Sequence, residues 1–71
     1  MSDYARAFRI FERAITFAKQ SNAPDLEAIA LSNLAIIESH MQHAKAAQDF
    51  SNEAVNIVDQ LHLTNPELMD V

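Results

Sequence analysis

The residues most able to do chemistry are two histidines three positions apart, His40 and His43, with Glu38 close to them. Adjacent turns of a helix can present two imidazoles to a metal ion. However, the chain has no cysteine, and the sequence offers no clear further ligand beside the pair. These side chains are more typical of a polar interhelical turn. We therefore expect no bound metal ion and no cofactor.

Catalysis by acidic residues or serines is the next possibility. General acid–base catalysis needs a concave pocket that excludes water, and a few short helices seldom enclose one. The serines have no histidine and acid in an arrangement that indicates a catalytic triad. Glycine is absent, which excludes the glycine-rich loops that bind phosphate groups. We expect no enzymatic activity. The residues considered are Glu12, Glu38, Asp49, Glu53, Ser32, Ser39 and Ser51.

Three arginines, Arg6, Arg9 and Arg13, follow one another at spacings of three and four and form a basic ridge on a helix. This ridge could be solvated, pair with acidic residues of neighbouring helices or of a second copy, or contact an acidic partner. Residues 23–71, by contrast, carry one lysine and eight acidic residues. Such a segment is repelled by nucleic acid and by anionic membranes, so we expect neither as a partner.

Length and composition limit the elements that can position these side chains. Seventy-one residues make one domain at most, and the absence of glycine makes a fold with many β-turns improbable. All-α is therefore the expected fold class. A small domain without cysteine fits the cytoplasm better than an oxidising compartment. We find no signal-peptide pattern at the N-terminus and no run near the roughly 18 apolar residues of a membrane span.

Apolar periodicity and helix-end signals predict three antiparallel helices, at about residues 3–21, 24–40 and 44–62. Ser2 or Asp3 can cap the first, while Asn22 and Pro24 separate it from the second. The break between the second and third helices has no proline or glycine, and one uninterrupted helix over 24–63 is the alternative. Thr64-Asn65-Pro66-Glu67 is expected to end the last helix.

Each predicted helix carries apolar residues at spacings of three and four. The first has two apolar stripes, which indicate contacts on two sides. The stripes are Tyr4, Phe8, Phe11, Ile15 and Ala18, and then Ile10, Ala14 and Phe17. The second helix has Leu26, Ile29, Ala30, Leu34, Ile37 and Met41, widened by Leu31, Ala35 and Ile36. The third has Ala47, Phe50, Ala54, Ile57 and Leu61.

The first and third helices align as an internal repeat at an offset of 40 residues. In five of the six matched pairs, a small residue matches a small one or a bulky residue matches a bulky one. The pairs are Ala7 with Ala47, Ile10 with Phe50, Ala14 with Ala54, Ile15 with Val55, Phe17 with Ile57 and Ala18 with Val58. Pro24-Asp25-Leu26 recurs at an offset of 42 as Pro66-Glu67-Leu68.

These residues resemble the tetratricopeptide repeat family. Leu31-x-x-Leu34-Ala35 is similar to its helix A motif, and Ala47 with Ala54 are similar to the two small residues of its helix B. Ala7-x-x-x-Phe11-x-x-Ala14, preceded by Tyr4, is similar to another helix B. The resemblance implies a right-handed arrangement of helix pairs.

The sequence departs from the family pattern in its period, which exceeds about 34 residues, and at three positions. A tyrosine is missing near Glu38, and Ser51 stands where an aromatic residue is expected. Gln42 stands where the family has a glycine, so we expect this turn to close differently or not at all.

The resemblance implies a protein–protein interaction module or scaffold that binds a peptide or a helix of a partner. The family's concave face maps onto Ile29, Ser32, Asn33, Ile36, Ser39 and His40, and the ridge Arg6, Arg9 and Arg13 could add contacts. Asn33 matches an asparagine that hydrogen-bonds a bound peptide's backbone. The alternatives are a structural subunit whose apolar faces pair with identical chains and a small regulator that masks a partner's helix.

Residues 1–71 are expected to form a single module. Because a repeat buries its core only against neighbours, this module is either a piece of a longer solenoid or a short protein. In the second case, self-association into a homo-oligomer or a larger assembly would complete it.

Overall fold

The computed structural model describes residues 3–64, which form three α-helices. They are α1 (Asp3–Gln20), α2 (Pro24–His40) and α3 (Ala44–Thr64). The three predicted helices are therefore confirmed, with bounds that differ by at most two residues, and the alternative of one helix over 24–63 is wrong. Ser2, the stop at Asn65-Pro66-Glu67 and the repeated Pro66-Glu67-Leu68 lie outside the described residues.

The two turns between the helices have the same backbone geometry. Each contains one residue in the left-handed conformation, Asn22 with φ 54° and Gln42 with φ 63°. In each, the next residue donates its N–H to a carbonyl five positions earlier, which is the Schellman arrangement. These bonds run from Ala23 to Ala18 at 2.8 Å and from His43 to Glu38 at 2.8 Å. The expectation that the turn at Gln42 would close differently or not at all is wrong, because Gln42 adopts the conformation that glycine would supply.

Replacing Gln42 with glycine is expected to stabilise the protein. The left-handed conformation costs a residue with a Cβ atom about 1–2 kcal/mol, and glycine avoids this cost. Glycine also loses roughly 0.5–1 kcal/mol more backbone entropy on folding, which offsets part of the gain. We expect Gln42→Gly to raise the free energy of unfolding by about 0.5–1 kcal/mol, measured by urea titration with circular dichroism. Asn22→Gly is the matched control and should gain less, because asparagine tolerates this conformation. A lower urea midpoint for Gln42→Gly would contradict the turn geometry.

Helix α2 lies at the centre, and both α1 and α3 pack on it. The first helix contacts both ends of α2 in antiparallel order. The Tyr4 and His40 rings stack at one end, and Lys19 Nζ lies 4.0 Å from Glu27 Oε2 at the other. The buried residues of α2 are Ala28, Ala30, Leu31, Leu34, Ala35, Ile37 and Glu38, whereas α1 buries Ala18 and α3 buries Ala54. The core is thus formed mainly by the middle helix.

Several residues expected to contribute to the apolar core are exposed instead. Leu26, Ile29 and Ile36 of α2 are exposed, although the periodicity had placed them on its apolar face. Two neighbouring helices cover only two sides of α2, and these residues lie on the remaining side. Ile10 and Phe17 of α1 are exposed for the same reason, since α2 covers a single stripe of α1.

No helix within residues 3–64 is long and apolar enough to cross a membrane.

Candidate binding groove between α2 and α3

An open groove of about 680 Å³ runs between α2 and α3. Both helices contribute small and β-branched residues to it. The lining residues are Ser32, Ala35, Ile36 and Ser39 from α2, and Ala47, Gln48, Ser51, Ala54, Val55 and Val58 from α3. None of these side chains ionises near neutral pH, so the groove offers apolar contacts and hydrogen bonds but no acid–base group.

The shape of the groove follows from the sizes of its residues. Ala35 and Ala54 are buried at its floor, where small side chains let the axes of α2 and α3 approach closely. Ile36 and Val55 form its walls and are each 55% exposed. Exposed branched apolar side chains in an open groove are typical of a surface that another molecule covers.

The structure brings three of the predicted contact residues together at this groove. Ser32, Ile36 and Ser39 lie on one face of α2 and line the groove. Ile29 is exposed on α2 outside the groove lining.

Two other predicted contact residues interact within the chain. Asn33 is partly buried, and its Nδ2 donates to the carbonyl of Ile29 at 3.0 Å, one turn earlier in the same helix. The His40 ring stacks on Tyr4 of α1, with centroids 5.6 Å apart and planes within 6°. His40 therefore contacts α1 and does not line the groove.

The arginine ridge lies on α1, apart from the groove. Arg6, Arg9 and Arg13 are all exposed, and none of them forms a salt bridge within residues 3–64. Arg9 and Arg13 flank Phe17 in a shallow depression of about 480 Å³ on α1. The ridge and the groove are therefore two separate surfaces.

Glu38 and His43 join the end of α2 to the start of α3. Glu38 is buried, and its Oε2 lies 3.0 Å from His43 Nδ1. The contact bridges the turn between α2 and α3. This structural role explains why an acid and a histidine lie close together in the sequence. Among residues 3–64, no three histidine, cysteine or acidic side chains are grouped so that they could hold a metal ion.

The α3 wall of the groove was not predicted from the sequence. The predicted contact residues lie on the first and second helices, whereas Ala47, Ser51, Val55 and Val58 of α3 form the other side of the groove. The internal repeat carried the necessary signal, because it relates these residues to positions on the first helix that contact a neighbour.

A family model described as tetratricopeptide repeat matches residues 1–60, which include both turns, all of α1 and α2 and most of α3. No curated protein and no solved structure matches the chain.

Proposed function

The chain belongs to the tetratricopeptide repeat family, and from this premise we propose that it binds a peptide or a helix of a partner along α2 and the adjoining groove. Repeats of this family mediate protein–protein interactions, and the family is not catalytic. We take residues 1–71 as one such module. We also propose a cytoplasmic location, because a small domain without cysteine cannot be stabilised by the disulfides that form in an oxidising compartment.

The observation that carries the proposal is the uncovered apolar wall of the groove. Ile36 is 55% exposed in the C-terminal half of α2, a helix whose opposite side forms the core. Ser32 and Ser39 stand one turn to either side and offer hydroxyl groups to a ligand. The contact face proposed around them is Ile29, Ser32, Asn33, Ile36, Ser39 and His40, with Arg6, Arg9 and Arg13 available to an acidic partner.

The experiment selects peptides by display on the immobilised chain and measures their affinity for two variants. Ile36→Glu places a charge in the groove wall and should weaken binding by at least about tenfold, as expected at an apolar contact. Ile10→Glu is the matched control, because Ile10 is a 57% exposed isoleucine on α1 outside the groove. Failure to select any peptide, or equal affinity for wild type and Ile36→Glu, would contradict the proposal.

A second function, that of a self-associating structural subunit, is favoured by the exposed stripe on α1. Ile10, Ala14 and Phe17 are exposed there with no helix packed on them among the described residues. Sedimentation equilibrium of the wild type and the same two variants distinguishes the functions. An oligomer that Ile10→Glu dissociates and Ile36→Glu leaves intact would support the structural subunit over the peptide-binding module.

A further inference from the structure

We propose that the groove between α2 and α3 binds one further amphipathic α-helix, which a partner protein supplies and which packs on α3 as α2 packs on α1. We call this binding surface the helix seat. This inference rests on the proposed function and specifies the form of the ligand. Its evidence is the correspondence between α1 and α3, considered together with the burial of each residue.

The α1/α2 contact provides the template. The residues of α1 that are at least partly shielded from solvent form its packing stripe against α2, and Phe8 also meets Phe50 of α3. These residues are Ala7, Phe8, Phe11, Ile15 and Ala18. Forty positions later stand Ala47, Gln48, Ser51, Val55 and Val58. All five line the groove. The surface with which α1 holds a helix is thus repeated on α3, where none of the described residues covers it.

Backbone hydrogen bonding favours a helix over an extended ligand. The walls of the groove are two α-helices whose own N–H and C=O groups are paired along the helix, so there is no strand edge for a peptide to join. An extended segment would find only Ser32, Ser39, Ser51 and Gln48 for its many backbone groups. A helix satisfies its own backbone and needs only side-chain contacts.

The groove also defines the chemistry of the helix that it fits. Its α3 wall runs from Ala47 to Val58, about 17 Å at 1.5 Å per residue, which corresponds to roughly three helical turns. Its floor is made of alanine, so the incoming stripe can approach closely. Its lining is uncharged, so the docking stripe should be apolar and uncharged as well.

A partner protein fits this seat better than a second copy does. In a second copy, α2 is already packed between α1 and α3. The other free apolar stripe, on α1, is flanked by Arg9 and Arg13, and no residue that lines the groove could neutralise them. Docking α1 there would bring Arg9, Arg13 and Glu12 of the same α1 depression against an uncharged apolar lining, where their lost hydration would not be repaid by the groove.

The test uses a fluorescent synthetic peptide with the sequence of residues 24–41, because α2 is the helix that occupies the equivalent seat on α1. Fluorescence anisotropy measures its binding to the full chain, and circular dichroism measures the helix that the peptide gains. We expect saturable one-to-one binding that Val55→Asp weakens by at least about tenfold. Ile10→Asp is the matched control, since Ile10 is 57% exposed on α1, lies outside the groove and is not in the proposed contact face. A peptide carrying Leu34→Pro, which cannot continue a helix, should not bind.

Other results would overturn the assignment. If the Leu34→Pro peptide binds equally well, or only Ile10→Asp weakens binding, the groove is not a helix seat. If the chain alone is a dimer that Val55→Asp dissociates, the occupant is a second copy. If removing residues 65–71 tightens peptide binding at least about tenfold, the occupant is the chain's own C-terminal segment. If the helical peptide fails while a display-selected peptide binds through Ile36, the helix seat is wrong and the proposed function stands. If both fail, both are wrong.

Discussion

Leu34→Ala is expected to unfold a large fraction of the molecules at 25 °C. Leu34 is 1% exposed and is the largest fully buried side chain among residues 3–64. Truncating a buried leucine to alanine costs about 2–5 kcal/mol, because the apolar contacts are lost and a cavity remains. The core of a domain of this size rarely supplies more than about 3–5 kcal/mol. Helix content measured by circular dichroism, with and without urea, reports the loss directly.

The matched control is the same substitution on the same helix at Leu26. This residue is 49% exposed, so its truncation removes about half as much buried apolar surface and leaves no enclosed cavity. We expect Leu26→Ala to cost less than about 1 kcal/mol and to leave the helix signal intact. If the two variants shift the urea midpoint equally, then α2 does not present Leu34 to the core and Leu26 to solvent.

Ala54→Leu is expected to destabilise the protein by about 1–3 kcal/mol. Ala54 is 5% exposed at the floor of the groove, where α3 approaches α2. Three additional carbon atoms have no space there, so the helix axes must separate or the leucine must leave its preferred rotamer. Urea titration followed by circular dichroism measures the change, because the helix signal reports unfolding.

The internal repeat supplies the control for this prediction. Ala14 occupies the equivalent position of α1, forty residues earlier, but it is exposed. Alanine and leucine are both good helix formers, so Ala14→Leu should change the free energy of unfolding by less than about 0.5 kcal/mol. A neutral Ala54→Leu variant would show that α2 and α3 are more loosely packed than the structure has them.

The contrast between Ala14 and Ala54 connects stability with binding. The same residue type at the same place in the repeat is buried on α3 and exposed on α1, because only α3 has α2 on that side. Conversely, α1 packs on α2 through one stripe of residues, and the equivalent residues of α3 line the open groove. A helix that fills the groove would therefore add to stability as well as bind, and ligand-dependent stabilisation is a natural accompaniment of the proposed interaction.

The sequence alone determined the elements of this fold. Local interactions decide where a helix can begin and end, so apolar periodicity, Pro24 and the absence of glycine were enough to predict three helices within two residues of their bounds. The internal repeat and the family resemblance could also be identified from the sequence, because both depend on the spacing of small and bulky residues along the chain.

Only the tertiary structure decided which apolar residues are covered and which are free. Periodicity groups Leu26, Ile29 and Leu34 on apolar faces of one helix, but it does not say how many neighbours that helix has or on which sides they lie. The same is true of His40, whose partner Tyr4 is 36 positions away.

The turn at Gln42 and the α3 wall of the groove have the same cause. A left-handed glutamine is unfavourable by itself, and it is retained because packing of α2 against α3 outweighs the local cost. The groove exists only where two helices that are adjacent in space leave a channel between them. Both features depend on contacts between residues distant along the chain, which local sequence patterns do not encode.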